Sequence, residues 1–272
     1  MAIFLIIFLS LVLLYLLAIA PRIFKRREMS VWLGQFFAHR GFHNSEMGIP
    51  ENSLPAFKKA VEYGYGIELD VRITKDHVPV VFHDADLSRM CRVEKRVSEL
   101  TFAELNHYSL GQSAEKIPSL ADVLALIDGK APLIIEFKAD HSDVSICDYA
   151  QPLLDEYKGP YCIESFNPLV LLWYKKNRPA IIRGQLSSRM LVENKNGSTF
   201  LNFLLQQMLF NWITKPDFIA FNHKYTHLLA FNICRKLYKA PTFGWTIVTQ
   251  EELDQAKTHF DSYIFEKFLP ND

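Results

Sequence analysis

Eight side chains able to do acid–base, metal or anion chemistry fall in four short clusters: His39-Arg40, Glu68-x-Asp70, His83-Asp84 and Glu136-x-Lys138. Glu68, Asp70 and Glu136 form a hard oxygen set suited to Mg²⁺ or Ca²⁺ rather than to a soft metal. Arg40 can grip a phosphate with two donors, and Lys138 supplies a point charge. His39 and His83 are the candidate acid and base, because imidazole titrates near neutral pH. Asp84 either orients His83 or caps the next helix. A cation, two positive side chains and two imidazoles together suit cleavage of a phosphodiester. The plainer readings are an ion-pair network among the carboxylates, Arg40, Arg72 and Lys138, and hydrogen-bonded structural histidines.

The elements around these clusters say how they could meet. Short apolar runs read as strands buried on both faces. They are Phe36–Ala38, Gly66–Val71, Val78–Phe82, Leu133–Phe137, Tyr161–Ile163, Ile181–Ile182, Phe218–Phe221, Thr242–Val248 and Tyr263–Phe265. Helical patterns lie between them, at Leu54–Tyr63, Ser119–Ile127, Ser142–Glu156, Pro168–Lys176 and Glu251–His259. This alternation predicts a parallel α/β sheet. All four clusters sit at carboxyl ends of strands, which share one rim in a (β/α)8 TIM barrel. Nine strands is one too many, so one is expected to be peripheral. The step from Glu68 to His83 is too short for a crossover helix and predicts an extended segment instead.

Several stretches resemble the glycerophosphodiester phosphodiesterases. They are Ala38-His39-Arg40-Gly41, Pro50-Glu51-Asn52-Ser53, Glu68-Leu69-Asp70-Val71, Val81-Phe82-His83-Asp84 and Ile135-Glu136-Phe137-Lys138. The likeness covers roughly residues 36–270. It implies a TIM barrel and metal-dependent hydrolysis of glycerophosphodiesters to sn-glycerol 3-phosphate and an alcohol. It implies His39 and His83 as the acid/base pair and Glu68, Asp70 and Glu136 as metal ligands. Arg40 and Lys138 would contact phosphate. Glu51 would be a metal ligand or a residue supporting the metal, and Trp245 would wall the substrate pocket. The late segment Asp261–Glu266 departs from the family pattern, which leaves the role of Glu266 open. A lysophospholipase D on the same fold and a silent lipid-binding scaffold are the rival readings. Attack by water and attack by a substrate hydroxyl both remain open.

Composition narrows the partners. Lys+Arg and Asp+Glu are 30 each in 272 residues, so no basic field favours nucleic acid. The four cysteines include no C-x-x-C pair, which speaks against a zinc ribbon or redox motif and for free thiols. Ala2–Ala20 is uncharged and long enough, at ~1.5 Å per residue, to cross a hydrocarbon core. It lacks a basic start, and Pro21 follows its small-residue end, so it reads as an uncleaved anchor rather than a signal peptide. Arg22, Lys25, Arg26 and Arg27 follow it and predict a cytoplasmic catalytic domain. The expected organisation is an anchor at 1–21, a basic juxtamembrane linker at 22–33 and a barrel at 34–272, single-pass, with membrane lipid as a partner. Asn196–Thr214 is another uncharged, apolar stretch. It reads either as a helix packed on the barrel or a partner copy, or as a lipid-facing helix beside the mouth. His43 and Asn44 sit on the first loop, within reach of a substrate, and read as surface-loop residues. His77, His107, His141, His223, His227 and His259 read as surface or core.

Overall fold

The computed structural model describes residues 1–140, 142–194 and 197–271. Among the described residues there are nine strands: β1 Phe36–His39, β2 Gly66–Ile73, β3 Pro79–Val81, β4 Leu133–Phe137, β5 Tyr161–Ser165, β6 Arg183–Ser187, β7 Phe218–Asn222, β8 Thr242–Ile247 and β9 Ser262–Phe265. Eight pair in parallel in the order β1-β2-β4-β5-β6-β7-β8-β9, and β9 pairs back onto β1 to close a TIM barrel. The peripheral strand is β3, which runs antiparallel along the far end of β2 with Val71 opposite Val81. This hairpin is the extended segment between Glu68 and His83. It folds the chain back so that Phe82 N–H donates to the Asp70 carbonyl (2.9 Å), which brings His83 beside Asp70.

Helix α1 (Ala2–Ile19) precedes the barrel. The outer layer holds α2 (Leu54–Glu62), α5 (Leu120–Ile127), α6 (Ser145–Glu156), α7 (Pro168–Asn177) and α12 (Gln250–Ala256). Short α3 (Ser88–Cys91) and α4 (Phe102–Leu105) lie on the excursion after β3, around a small core of their own that includes Phe82, Leu87, Leu105 and Ile117. The β6–β7 connection carries α8 (Met190–Glu193), α9 (Thr199–Gln206) and α10 (Asn211–Thr214), and α11 (Leu229–Asn232) follows β7. Ser53, Ser119 and Thr249 accept hydrogen bonds from backbone N–H groups in the first turns of α2, α5 and α12, which fixes where those helices start.

Strand alternation sorts the barrel interior. Phe37, Phe218 and Phe243 stack in its lower layer, with ring centroids 6.2 and 4.3 Å apart. Gly66 and Gly184 make room for them, since a Cβ at either would lie 2.4 Å from Phe37 or 2.2 Å from Phe218. Polar residues occupy the layer above. The strand expected at 181–182 instead begins at Arg183. Its inward-facing glycine and its Arg, Gln and Ser residues broke the apolar run that the eye follows. Residues 22–33 pack beneath the barrel: Met29 and Trp32 are buried against Phe37 and Ile134, and Ser262 Oγ donates to the Trp32 carbonyl (2.6 Å). Arg22 pairs with Asp217 (2.6 Å) beside the buried Arg183. All four cysteines are free, three of them buried.

Candidate active site

The carboxyl ends of β1, β2 and β4 bring the sequence clusters together. Ligand oxygens of Glu68, Asp70 and Glu136 all lie within 4.8 Å of one another, and all three residues are buried. Glu68 and Asp70 face inward two residues apart on β2, and Asp70 is in register with Glu136 on β4. Lys138 Nζ bridges Asp70 (3.0 Å) and Glu136 (2.7 Å). Arg40 reaches Glu51 (2.7 Å) and lies 3.3 Å from Asp70, while its N–H donates to Glu68 (3.0 Å). Arg40 has φ +56° and Gly41 has φ +80°. A Cβ at Gly41 would stand 2.9 Å from Ala56, so the turn that aims Arg40 inward requires glycine.

Electrostatics follow from this crowding. Burial, then the charges of Asp70 and Glu136, push the Glu68 carboxyl well above the usual range. Burial also raises Glu136, against the pull of Lys138. Asp70 is held well below the usual range, because Lys138 and Arg40 outweigh its burial. Three buried carboxylates facing two cations, Arg40 and Lys138, carry surplus negative charge. A hard divalent cation fits this donor set.

His39 ends β1. Its Nδ1 lies 2.9 Å from Glu266 and its Nε2 lies 3.9 Å from Glu68. Glu266 is held far below its ordinary range, because hydrogen bonds from His39 and His43 outweigh its burial. It is therefore an acceptor, so His39 carries its proton on Nδ1 and presents the Nε2 lone pair to the mouth. Burial lowers the His39 pKa despite Glu266, which keeps the ring neutral. His83 Nδ1 pairs with Asp84 (2.7 Å), and Arg89 ties Asp84 (2.6 Å) to Glu51 (2.6 Å). Asp84 thus contacts the imidazole, as one of its two sequence readings expects. Trp245 stands on β8, across the barrel from β4, edge-on to Phe166 at 5.7 Å.

Other polar groups of this layer carried weaker sequence signals. Glu266 supports His39 from the far end of the chain. His43 is not a surface residue: its side chain is 9 % exposed and lies 3.4 Å from Glu266. Asn52 donates to Asp70 (2.8 Å). Glu164 is buried on β5 in register with Glu136. The period-two pattern Cys162-x-Glu164 was its only signal. His223 follows β7, 3.6 Å from Glu252. His141 lies outside the described residues.

Glu51 links both halves of the site. Burial opposes its ionisation, but hydrogen bonds from Arg89 and the charge of Arg40 hold its carboxyl down at about 2. A depressed carboxyl adds stability above its unfolded pKa and loses it as pH falls toward the folded one. Glu51→Gln will therefore cost roughly 2 kcal/mol at neutral pH, after discounting for the half-exposed Arg89. The gap from wild type will close between about pH 4.5 and 2. Urea melts across that range check it, and a gap that widens in acid would contradict it.

Comparison with known proteins agrees with this geometry. Residues 39–258 match the glycerophosphoryl diester phosphodiesterase family. The chain belongs to that family. It is 40 % identical over 169 residues to a glycerophosphodiester phosphodiesterase of Caldanaerobacter subterraneus, covering 57 % of this chain and 68 % of the relative. It is 38 % identical over 95 residues to a rat lysophospholipase D, covering 35 % of this chain and 29 % of that one. An Oleispira antarctica phosphodiesterase, solved with the product sn-glycerol-3-phosphate, shares the fold at TM-score 0.68 and 22 % identity, covering 86 % of this chain and 93 % of that one. The phosphodiesterase is thus an enzyme, not a silent scaffold, and its substrates are glycerophosphodiesters. The family is generally divalent-metal dependent, and the acidic triad could hold such an ion.

Proposed function

We propose that the protein hydrolyses lipid-derived glycerophosphodiesters to sn-glycerol 3-phosphate and an alcohol, with Mg²⁺ or Ca²⁺ held by Glu68, Asp70 and Glu136. The observation that carries this reading is the triad itself, closed to within 4.8 Å beside the His39 imidazole. The cation, when bound, supplies Lewis-acid stabilisation of phosphoryl charge. His39 acts as the base, because its Nε2 is unprotonated and faces the mouth. It takes the proton of the attacking oxygen: water gives sn-glycerol 3-phosphate directly, whereas a glycerol hydroxyl gives a cyclic phosphate that water then opens to the same product. His83, with its side chain 31 % exposed and its Nδ1 on Asp84, gives a proton to the departing alcohol oxygen. Arg40 and Lys138 keep N–H donors beyond those their carboxylates take, and these hold the phosphate. Glu51 steadies Arg40. Trp245 walls the pocket.

The reading extends to the membrane. α1 is apolar along its length, with a mean hydropathy of 3.1 and almost none of its surface buried by the rest of the chain, so it is apolar enough to cross a bilayer. We read it as a single-pass anchor with the barrel on the cytoplasmic side, where its basic flank belongs. An anchored enzyme favours substrates derived from lipid, and a lysophospholipase D activity is the second reading, supported by the likeness to the rat enzyme. The test is turnover by the purified full chain on glycerophosphocholine, glycerophosphoethanolamine, glycerophosphoglycerol and lysophosphatidylcholine, with Mg²⁺, Ca²⁺ or EDTA. Metal-dependent release of glycerol phosphate is expected. Release from the lysolipid alone would move the assignment to lysophospholipase D, and equal turnover in EDTA would overturn the metal.

A further inference from the structure

The β6–β7 connection is built inside out. α9 buries its amides Asn202 and Gln206 and exposes Phe200, Leu201 and Phe203 at 72, 46 and 44 %. Nearby, Asn211 is fully buried and Trp212 is 55 % exposed. The buried amides are hydrogen-bonded: Asn202 donates to the Asn194 carbonyl (2.7 Å), and Gln206 Oε1 accepts from Leu191 N–H (3.3 Å). Water would favour the opposite arrangement. An outward face of Phe, Leu and Trp over an inward face of satisfied amides suits apolar surroundings.

What surrounds it is indicated by α1. Tyr15 Oη donates to Gln207 (2.7 Å), Asn211 donates to the Ile19 carbonyl (3.0 Å), and Lys215 Nζ reaches the Ala20 carbonyl (3.2 Å). The last turn of α1 is thus fixed to the end of α9 and to α10, while the preceding turns stand exposed. Eighteen helical residues at ~1.5 Å each give roughly 27 Å, about one hydrocarbon core. A spanning α1 therefore leaves Tyr15–Ile19 at the bilayer edge, and whatever packs on that turn lies there too. Exposed Lys25 and Arg26, just past the helix, add charge that anionic headgroups attract.

We infer that α9, with Trp212, is an interfacial docking face whose occupant is the lipid bilayer crossed by α1; this rests on reading α1 as a span. Ser187 Oγ donates to the Leu205 carbonyl (3.2 Å), tying α9 to the carboxyl end of β6. Docking therefore brings the β6–β7 side of the catalytic rim to the headgroups. α2, between β1 and β2, lies on the opposite side of the barrel and faces water.

The test is depth-resolved quenching in the full chain. In a Cys91→Ser background, Phe203→Cys, Leu9→Cys on α1 and Lys58→Cys on α2 each carry an environment-sensitive fluorophore. Each protein is reconstituted into phosphatidylcholine/phosphatidylglycerol vesicles with spin-labelled lipids. The expected result is strong quenching at 203, more by shallow than by deep labels, as at the ~5–10 Å depth of an interfacial helix. Position 9 is quenched by deep labels, and position 58 by neither. Quenching at 9 without quenching at 203 overturns the docking face and leaves the span standing. Quenching at neither position removes both. Disulfide cross-linking between unlabelled Phe203→Cys copies, with no lipid quenching there, assigns the face to a second copy and overturns the inference.

Discussion

His39→Ala will lower kcat for a glycerophosphodiester by about 10²–10⁴, the usual contribution of a positioned general base, while the fold survives. The expectation follows from what holds the ring. Glu266 accepts a hydrogen bond from Nδ1–H, so the Nε2 lone pair faces the cluster of carboxylates and cations. Glu266→Gln tests that arrangement separately, because an amide can still bond the ring but no longer carries the charge that raises its pKa. Without that charge, burial lowers the His39 pKa further. The acid limb of the kcat/KM profile will therefore move to lower pH, and kcat will fall far less than in His39→Ala. A merely structural Glu266 would move stability and leave that limb in place. His83→Ala provides the complement. Its loss will be large for a choline or ethanolamine ester and small for a nitrophenyl ester, whose leaving oxygen needs no proton. Wild-type kcat in His39→Ala, or equal losses of His83→Ala on both esters, would overturn these roles.

The clusters that sequence reading found are those made by neighbours along the chain. His39-Arg40, Glu68-x-Asp70 and Glu136-x-Lys138 each sit on one strand end, so strand periodicity alone sets their direction. The surplus ninth strand was also legible, because the Glu68–His83 step is too short for a helix, and it proved to be the β2–β3 hairpin. Contacts across long sequence separations were not legible. Glu266 reaches His39 from 227 residues away, and Arg89 joins Glu51 to Asp84 from a four-residue helix with no strong periodicity. β6 was misplaced because Arg183, Gln185 and Ser187, which alternate with the inward Gly184 and Leu186, interrupt its apolar run. The stretch through α9 was recognised as apolar, though its first residue, Asn196, lies outside the described residues. Which of its faces is buried could not be read from the sequence, because burial there runs opposite to hydropathy.

Removing divalent cations will abolish turnover, and the site carboxylates predict how. Glu68 is pushed well above its usual range by burial and by its two acidic neighbours, so without metal it holds its proton more tightly than a free carboxyl does. A cation must displace that proton, so binding releases protons and tightens as pH rises. Calorimetry of Mg²⁺ or Ca²⁺ binding in two buffers of different ionisation enthalpy will register the release. Adding metal at about 100 times its Kd will stabilise the fold by roughly 2.7 kcal/mol, seen as a rise in Tm. Glu68→Gln separates the metal role from the structural one. The amide mimics the protonated acid, so the metal-free Tm will stay near wild type, while the metal-induced rise and the turnover are both lost. Asp70→Asn behaves differently. Asp70 is ionised between Lys138 and Arg40, and neutralising it leaves two buried cations short of a partner. That variant will lose stability even without metal, by about 3–5 kcal/mol as for a broken buried pair. A Tm that ignores both cations in the wild type, with turnover intact in EDTA, would show that the triad is held by Lys138 and Arg40 alone.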